Sequence, residues 1–133
     1  MKILNAFSLT VFLIVFFGAS LASAHHAVQA QFDVSEVETF TGTMTKVELI
    51  NPHPYFHLNV EQPDGQILNW SIESVALNAL RQMGLIKQLQ VGLKYTVEYH
   101  PARNGKTLGL MTAITLPSGN RLLMRSTDPS LSQ

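Results

Sequence analysis

Residues 41–60, TGTMTKVELINPHPYFHLNV, limit this chain's fold more than any other stretch. Asn51-Pro52-His53-Pro54 places two prolines within four residues, so φ is fixed on both sides of His53 and two backbone N–H groups are missing. Residues that precede proline are pushed out of the helical region. No helix can cross this segment. The flanks are strand-like: Thr41 to Ile50 is rich in β-branched residues, and Phe56 to Val60 alternates apolar with polar. The chain is therefore expected to double back here as paired strands, with the His53 imidazole presented from a stiff turn.

Alternation extends the reading. In strand one Val47 and Leu49 are expected inward, and Lys46 and Glu48 outward. Met44 and Val47 lie three apart where alternation needs two, which with Gly42 predicts a bulge. Strand two places Phe56, Leu58 and Val60 in the core, and Tyr55, His57 and Asn59 on the other face. Pro63-Asp64-Gly65 turns the chain into strand three, Ile67 to Glu73, with Leu68, Trp70 and Ile72 inward. Ser74 reads as the N-cap of a helix that runs to about Met83 and stops at Gly84. Strand four, Lys94 to His100, ends at Pro101. Asn104-Gly105 leads into strand five, Thr107 to Leu116, with Leu108, Leu110, Thr112, Ile114 and Leu116 on one face. A short strand, Arg121 to Met124, follows.

Three antiparallel strands, one helix and two or three further strands predict a mainly β fold. The expected architecture is a small OB-like five- to six-stranded Greek-key barrel with the helix between strands three and four. An open α+β sheet is the alternative. The domain reading is 1–24 signal peptide, 25–40 N-terminal arm, 41–125 barrel and 126–133 disordered tail.

The leader rests on Lys2, the apolar run Ala6 to Leu21 and the small-x-small site Ala22-Ser23-Ala24. A spanning helix asks for about 20 apolar residues, and this run is shorter. The chain is expected in the periplasm or secreted, with no membrane span once the leader is removed. Removing 24 of the 133 residues leaves 109, enough for one core. The mature part would carry eight basic and nine acidic residues without a basic stripe, which argues against a nucleic-acid partner. There is no cysteine, so metal ligands must be nitrogen, oxygen or methionine sulfur.

HHAVQAQFD at the mature start, TGTMTKVELINPH, PDG ahead of a strand with a tryptophan, and LPSGNRL near the end resemble the small exported bacterial proteins grouped as domain of unknown function 6152. The matching positions are His25, His26, Asn51, Pro52, His53 and Trp70. His57 and His100 fall outside that pattern. The resemblance implies an exported β-barrel-like domain and carries no established activity.

The chemistry of this sequence is that of histidine. Cleavage after Ala24 exposes His25-His26, whose free α-amine and first imidazole form a chelating nitrogen pair suited to tetragonal Cu(II) or Ni(II). Cleavage one residue earlier gives Ala24-His25-His26, a third-position histidine that also makes a square-planar copper site. A frayed polar terminus is the plain alternative. His53 on its turn is the expected further ligand, so His25, His26 and His53 are the candidate metal residues and copper the candidate ion. Met44, Met83, Met111 and Met124 show no cluster and read as core filling, not as thioether ligands. Trp70 reads as core before it reads as a stacking platform. No phosphate loop, G-x-S-x-G elbow or H-E-x-x-H occurs, and Glu48, Glu61, Glu73 and Glu98 stand singly on strands. Binding without turnover is the expectation: either a metal-binding or copper-carrier protein, or an OB-type module for a small ligand or protein with no metal.

Overall fold

The computed structural model describes residues 28–124. The expected leader, His25 and His26, and the expected tail lie outside the described residues. Residues 28–31 are helical, and Phe32 onward forms a compact unit of its own. Among the described residues no helix is long and apolar enough to cross a membrane.

The unit is mainly β. Its elements are β1 (Glu38–Glu48), β2 (Tyr55–Glu61), β3 (Ile67–Glu73), α1 (Leu77–Gln82), a 3-10 turn (Ile86–Gln88), β4 (Lys94–Pro101), β5 (Leu108–Thr115) and β6 (Arg121–Leu123). Antiparallel pairing runs β3-β2-β1-β4-β5, and a parallel pairing of β3 with β5 closes the five strands into a barrel, with β6 added beside β5. The core is what alternation delivers: Met44, Phe56, Leu58, Ile72, Tyr95, Val97 and Ile114 are all buried there. Met111 and Met124 join them and Met83 packs alongside, so the methionines fill the interior as expected.

The bulge in β1 is present, with the register to β2 slipping between Met44 and Lys46. Its consequence is that Lys46, not Thr45, faces His57. Three expectations need correction. First, β1 begins at Glu38 and ends at Glu48, so Leu49 is exposed instead of inward. Second, Ser74 does not cap the helix. The cap position is Ala76, without a side-chain cap bond, and the Ser74 N–H is spent on the Pro54 carbonyl at 2.9 Å. Third, β5 does not keep one face throughout. Its register to β4 slips between Glu98 and Tyr99, which skips Thr112, so Gly109 and Met111 point inward before the slip and Ile114 and Leu116 after it. Gly109 is needed at that point, because a Cβ there would collide with the Tyr99 ring.

The segment before β1 is clipped to the body through an isolated bridge, Phe32 with Ala102, and through Arg103 on Asp33 at 3.3 Å. Phe32 itself is buried. Beyond β5, Arg121 donates from Nε and Nη2 to the two oxygens of Glu98, at 2.6 and 2.7 Å, across three strands. This pairing holds the Glu98 carboxyl below the usual carboxylate range. A lowered folded pKa contributes stability above the unfolded value and loses it as pH falls through the folded one. Arg121→Ala should therefore be less stable than wild-type at neutral pH, with the difference closing below about pH 4, where carboxylates protonate. Thermal melts of both proteins across that range check it.

Candidate functional site

The outward face of β1, β2 and β3 carries a connected set of polar side chains. The bulge and the pairing fix its rows: Lys46, His57 and Ser71 lie across from one another, and Glu48, Tyr55 and Glu73 form the next row. Alternation dictates which residues of β2 arrive there, since Phe56 and Leu58 are committed to the core.

His53 stands just ahead of β2. Pro54, its neighbour, is fully buried, and the Pro54 carbonyl receives the Ser74 N–H, so the turn is tied to the end of β3. The Asn51–Pro52 peptide is cis. The His53 side chain is 43% exposed, while that of Glu73 is 12% exposed. His53 Nδ1 lies 2.5 Å from Glu73 Oε1, and the Tyr55 hydroxyl donates to Glu73 Oε2 at 2.9 Å. Both carboxylate oxygens are therefore occupied. Burial, and then the bond to Glu73, push the Tyr55 phenol up to about 12, so it stays a donor at neutral pH. A carboxylate accepts, so the hydrogen of the His53–Glu73 bond is assigned to Nδ1, and among the described residues nothing bonds Nε2.

His57 is held differently. Its Nε2 is 3.0 Å from Glu48 Oε2, and its Nδ1 is 3.0 Å from Ser71 Oγ. Lys46 takes the other oxygen of Glu48. The bond from Lys46 first, then that from His57, holds the Glu48 carboxyl below its usual range. Asn69 Nδ2 bonds Asn59 Oδ1 at 2.9 Å further along the face. With both ring nitrogens engaged, His57 has no lone pair to offer a metal. His100 is elsewhere, its Nδ1 2.6 Å from the Glu36 carbonyl, where it fastens the segment before β1.

Of the three candidate metal residues, His53 lies on this face, and His25 and His26 lie outside the described residues. Among the described residues no three His, Asp or Glu side chains converge as a group able to hold a metal ion. Sequence reasoning missed the partners. Glu48 and Glu73 read as ordinary exposed acids, and Tyr55 and Ser71 drew no attention. The available signal was the outward phase of β2, which sets Tyr55 and His57 between the polar residues of two neighbours.

No curated protein matches the chain significantly. Residues 14–112, well over half of the sequence and all of this polar face, match the family described as "Family of unknown function (DUF6152)". The chain belongs to that family.

Proposed function

We propose that this is an exported OB-like barrel protein that binds Cu(II) through its processed N-terminus, with His53 as the nitrogen ligand supplied by the barrel. The OB-like reading is supported by the ring order β1-β2-β3-β5-β4 with a parallel β3–β5 contact and by α1 lying between β3 and β4 in the chain. The observation that carries the metal reading is the His53–Glu73 contact. Metal-binding imidazoles commonly give their other ring N–H to a carboxylate, which fixes tautomer and ring orientation. His53 has that partner, and among the described residues nothing bonds its Nε2.

The remaining ligands would be the α-amine and imidazole of His25, with His26 beside them. Copper leads the divalent affinity order for such nitrogen sets. Because amine and imidazoles must release protons, binding should weaken as pH drops below about 6.5, near the reference histidine value.

Intact mass of the exported protein, followed by Cu(II) titration with spin-resonance spectra, tests the proposal. The expected mature chain begins at His25 and binds copper tightly, and a form whose α-amine is blocked by acetylation does not. Equal binding by both forms would remove the terminal site. Absence of binding in both would favour the alternative, an OB-type module for a small ligand or protein partner.

A further inference from the structure

The metal reading leaves Glu48, His57 and Ser71 unused, and these three form a continuous chain of hydrogen bonds. Ser71 Oγ is 3.0 Å from His57 Nδ1, and His57 Nε2 is 3.0 Å from Glu48 Oε2. The direction of each bond follows from chemistry. Glu48, paired with Lys46, is ionised at neutral pH and can only accept, so Nε2 carries the ring hydrogen. In the neutral ring Nδ1 is then the acceptor, and the Ser71 hydroxyl donates to it. The His57 ring is only 19% exposed, which limits competition from water at its nitrogens. Backbone pairing holds the order, since His57 and Ser71 are direct cross-strand partners.

We propose that Ser71 is an activated nucleophile that accepts acyl groups from esters, with His57 as its base and Glu48 as the positioning residue for the ring. Ser71 Oγ forms a bond to the ester carbonyl carbon as its proton passes to His57 Nδ1. Collapse breaks the bond to the leaving oxygen or sulfur, which takes that proton and departs. Water then attacks the acyl carbon, passing a proton through the same nitrogen, and releases the carboxylic acid with Ser71 restored. Every electron pair is returned, and water is the sole co-reactant. The substrate class follows from the surroundings. The amide of Asn69, two residues before Ser71 on the same face of β3, is already engaged by Asn59. An amide so engaged offers little to a developing oxyanion, whose stabilisation is usually the largest contribution to such reactions. That restricts the chemistry to esters with good leaving groups, such as aryl esters and thioesters.

A cross-strand polar ladder without reactivity would have the same hydrogen bonds, and labelling separates the two. The exported protein is treated with p-nitrophenyl acetate and, in parallel, with a fluorophosphonate, in EDTA so that no metal at His53 takes part. Peptide mass mapping locates the adduct. The expected adduct is on Ser71, absent from Ser71→Ala and formed at least about 100-fold more slowly in His57→Gln, the usual scale of general-base assistance. Glu48→Gln should also slow it, and Glu48→Asp, which keeps the charge, should recover part of the rate. Circular dichroism establishes that each variant is folded, and Ser71→Ala, the smallest change, serves even if His57→Gln fails to fold. Adducts confined to lysines or the terminal amine overturn the proposal. So does labelling of Ser71 at an unchanged rate in folded Glu48→Gln or His57→Gln.

Discussion

Trp70→Ala should lower the free energy of unfolding by about 3 kcal/mol, the lower end for loss of a large aromatic side chain from a core. Trp70 is half-buried, but its ring belongs to a packed group: its centroid is 5.4 Å from that of Phe40 and 5.0 Å from that of Tyr99, both in tilted geometry. Phe40 and Tyr99 also meet each other, at 5.2 Å. These three residues come from β1, β3 and β4, so the cluster ties β3 to two strands, β1 and β4, with which it shares no ladder, while β1 and β4 are themselves paired. Such ring pairs add about 0.5 to 1.5 kcal/mol each beyond burial. The indole Nε1 is buried without a hydrogen-bond partner, which offsets part of that gain. Trp70→Phe, which keeps a ring in the cluster and removes the unpaired N–H but leaves a smaller cavity, should cost clearly less than Trp70→Ala. Urea unfolding of both variants is the measurement. A loss under about 1 kcal/mol in Trp70→Ala, with the fold intact, would mean that the ring is a surface platform and not part of the core.

Much of this barrel can be read from residue order, and the reason is physical. Side chains on a strand repeat every two residues, so Phe56, Leu58 and Val60 announce their own burial, and the extra residue near Met44 announces the bulge. The errors fall where one local signal competes with a distant partner. Ser74 has the residue type of a cap, yet its N–H meets Pro54, twenty residues earlier, and its hydroxyl is buried without a partner. Strand five looked uniform because Thr112 gives no sign that the register slips there. The candidate site follows the same rule. His53 was legible because two prolines mark it. Glu73 was not, because the contact depends on the pairing of β2 with β3, and alternation along one strand says nothing about which residue of another stands opposite.

If His53 is a copper ligand, its affinity contribution should depend on Glu73 in a graded way. Removing an outer hydrogen-bond partner of a metal-bound imidazole typically costs about 10- to 100-fold in affinity. Glu73→Gln should fall in that range, and His53→Ala, which removes the nitrogen itself, should lose more. The mechanism makes a second, metal-free prediction. In the wild-type protein Glu73 confines the neutral His53 ring to the Nδ1–H form, since the carboxylate accepts at 2.5 Å and its other oxygen is held by Tyr55. A glutamine at position 73 presents either an oxygen or an amide hydrogen, so that restriction relaxes. Nitrogen-resolved NMR of the His53 ring in copper-free protein should show one tautomer in wild-type and a mixture in Glu73→Gln. The two readouts separate the possible failures. A fixed tautomer with no effect of Glu73→Gln on copper would mean that the dyad is real and the metal lies elsewhere, whereas an unrestricted tautomer in wild-type would remove the geometric basis for assigning His53 to the site at all.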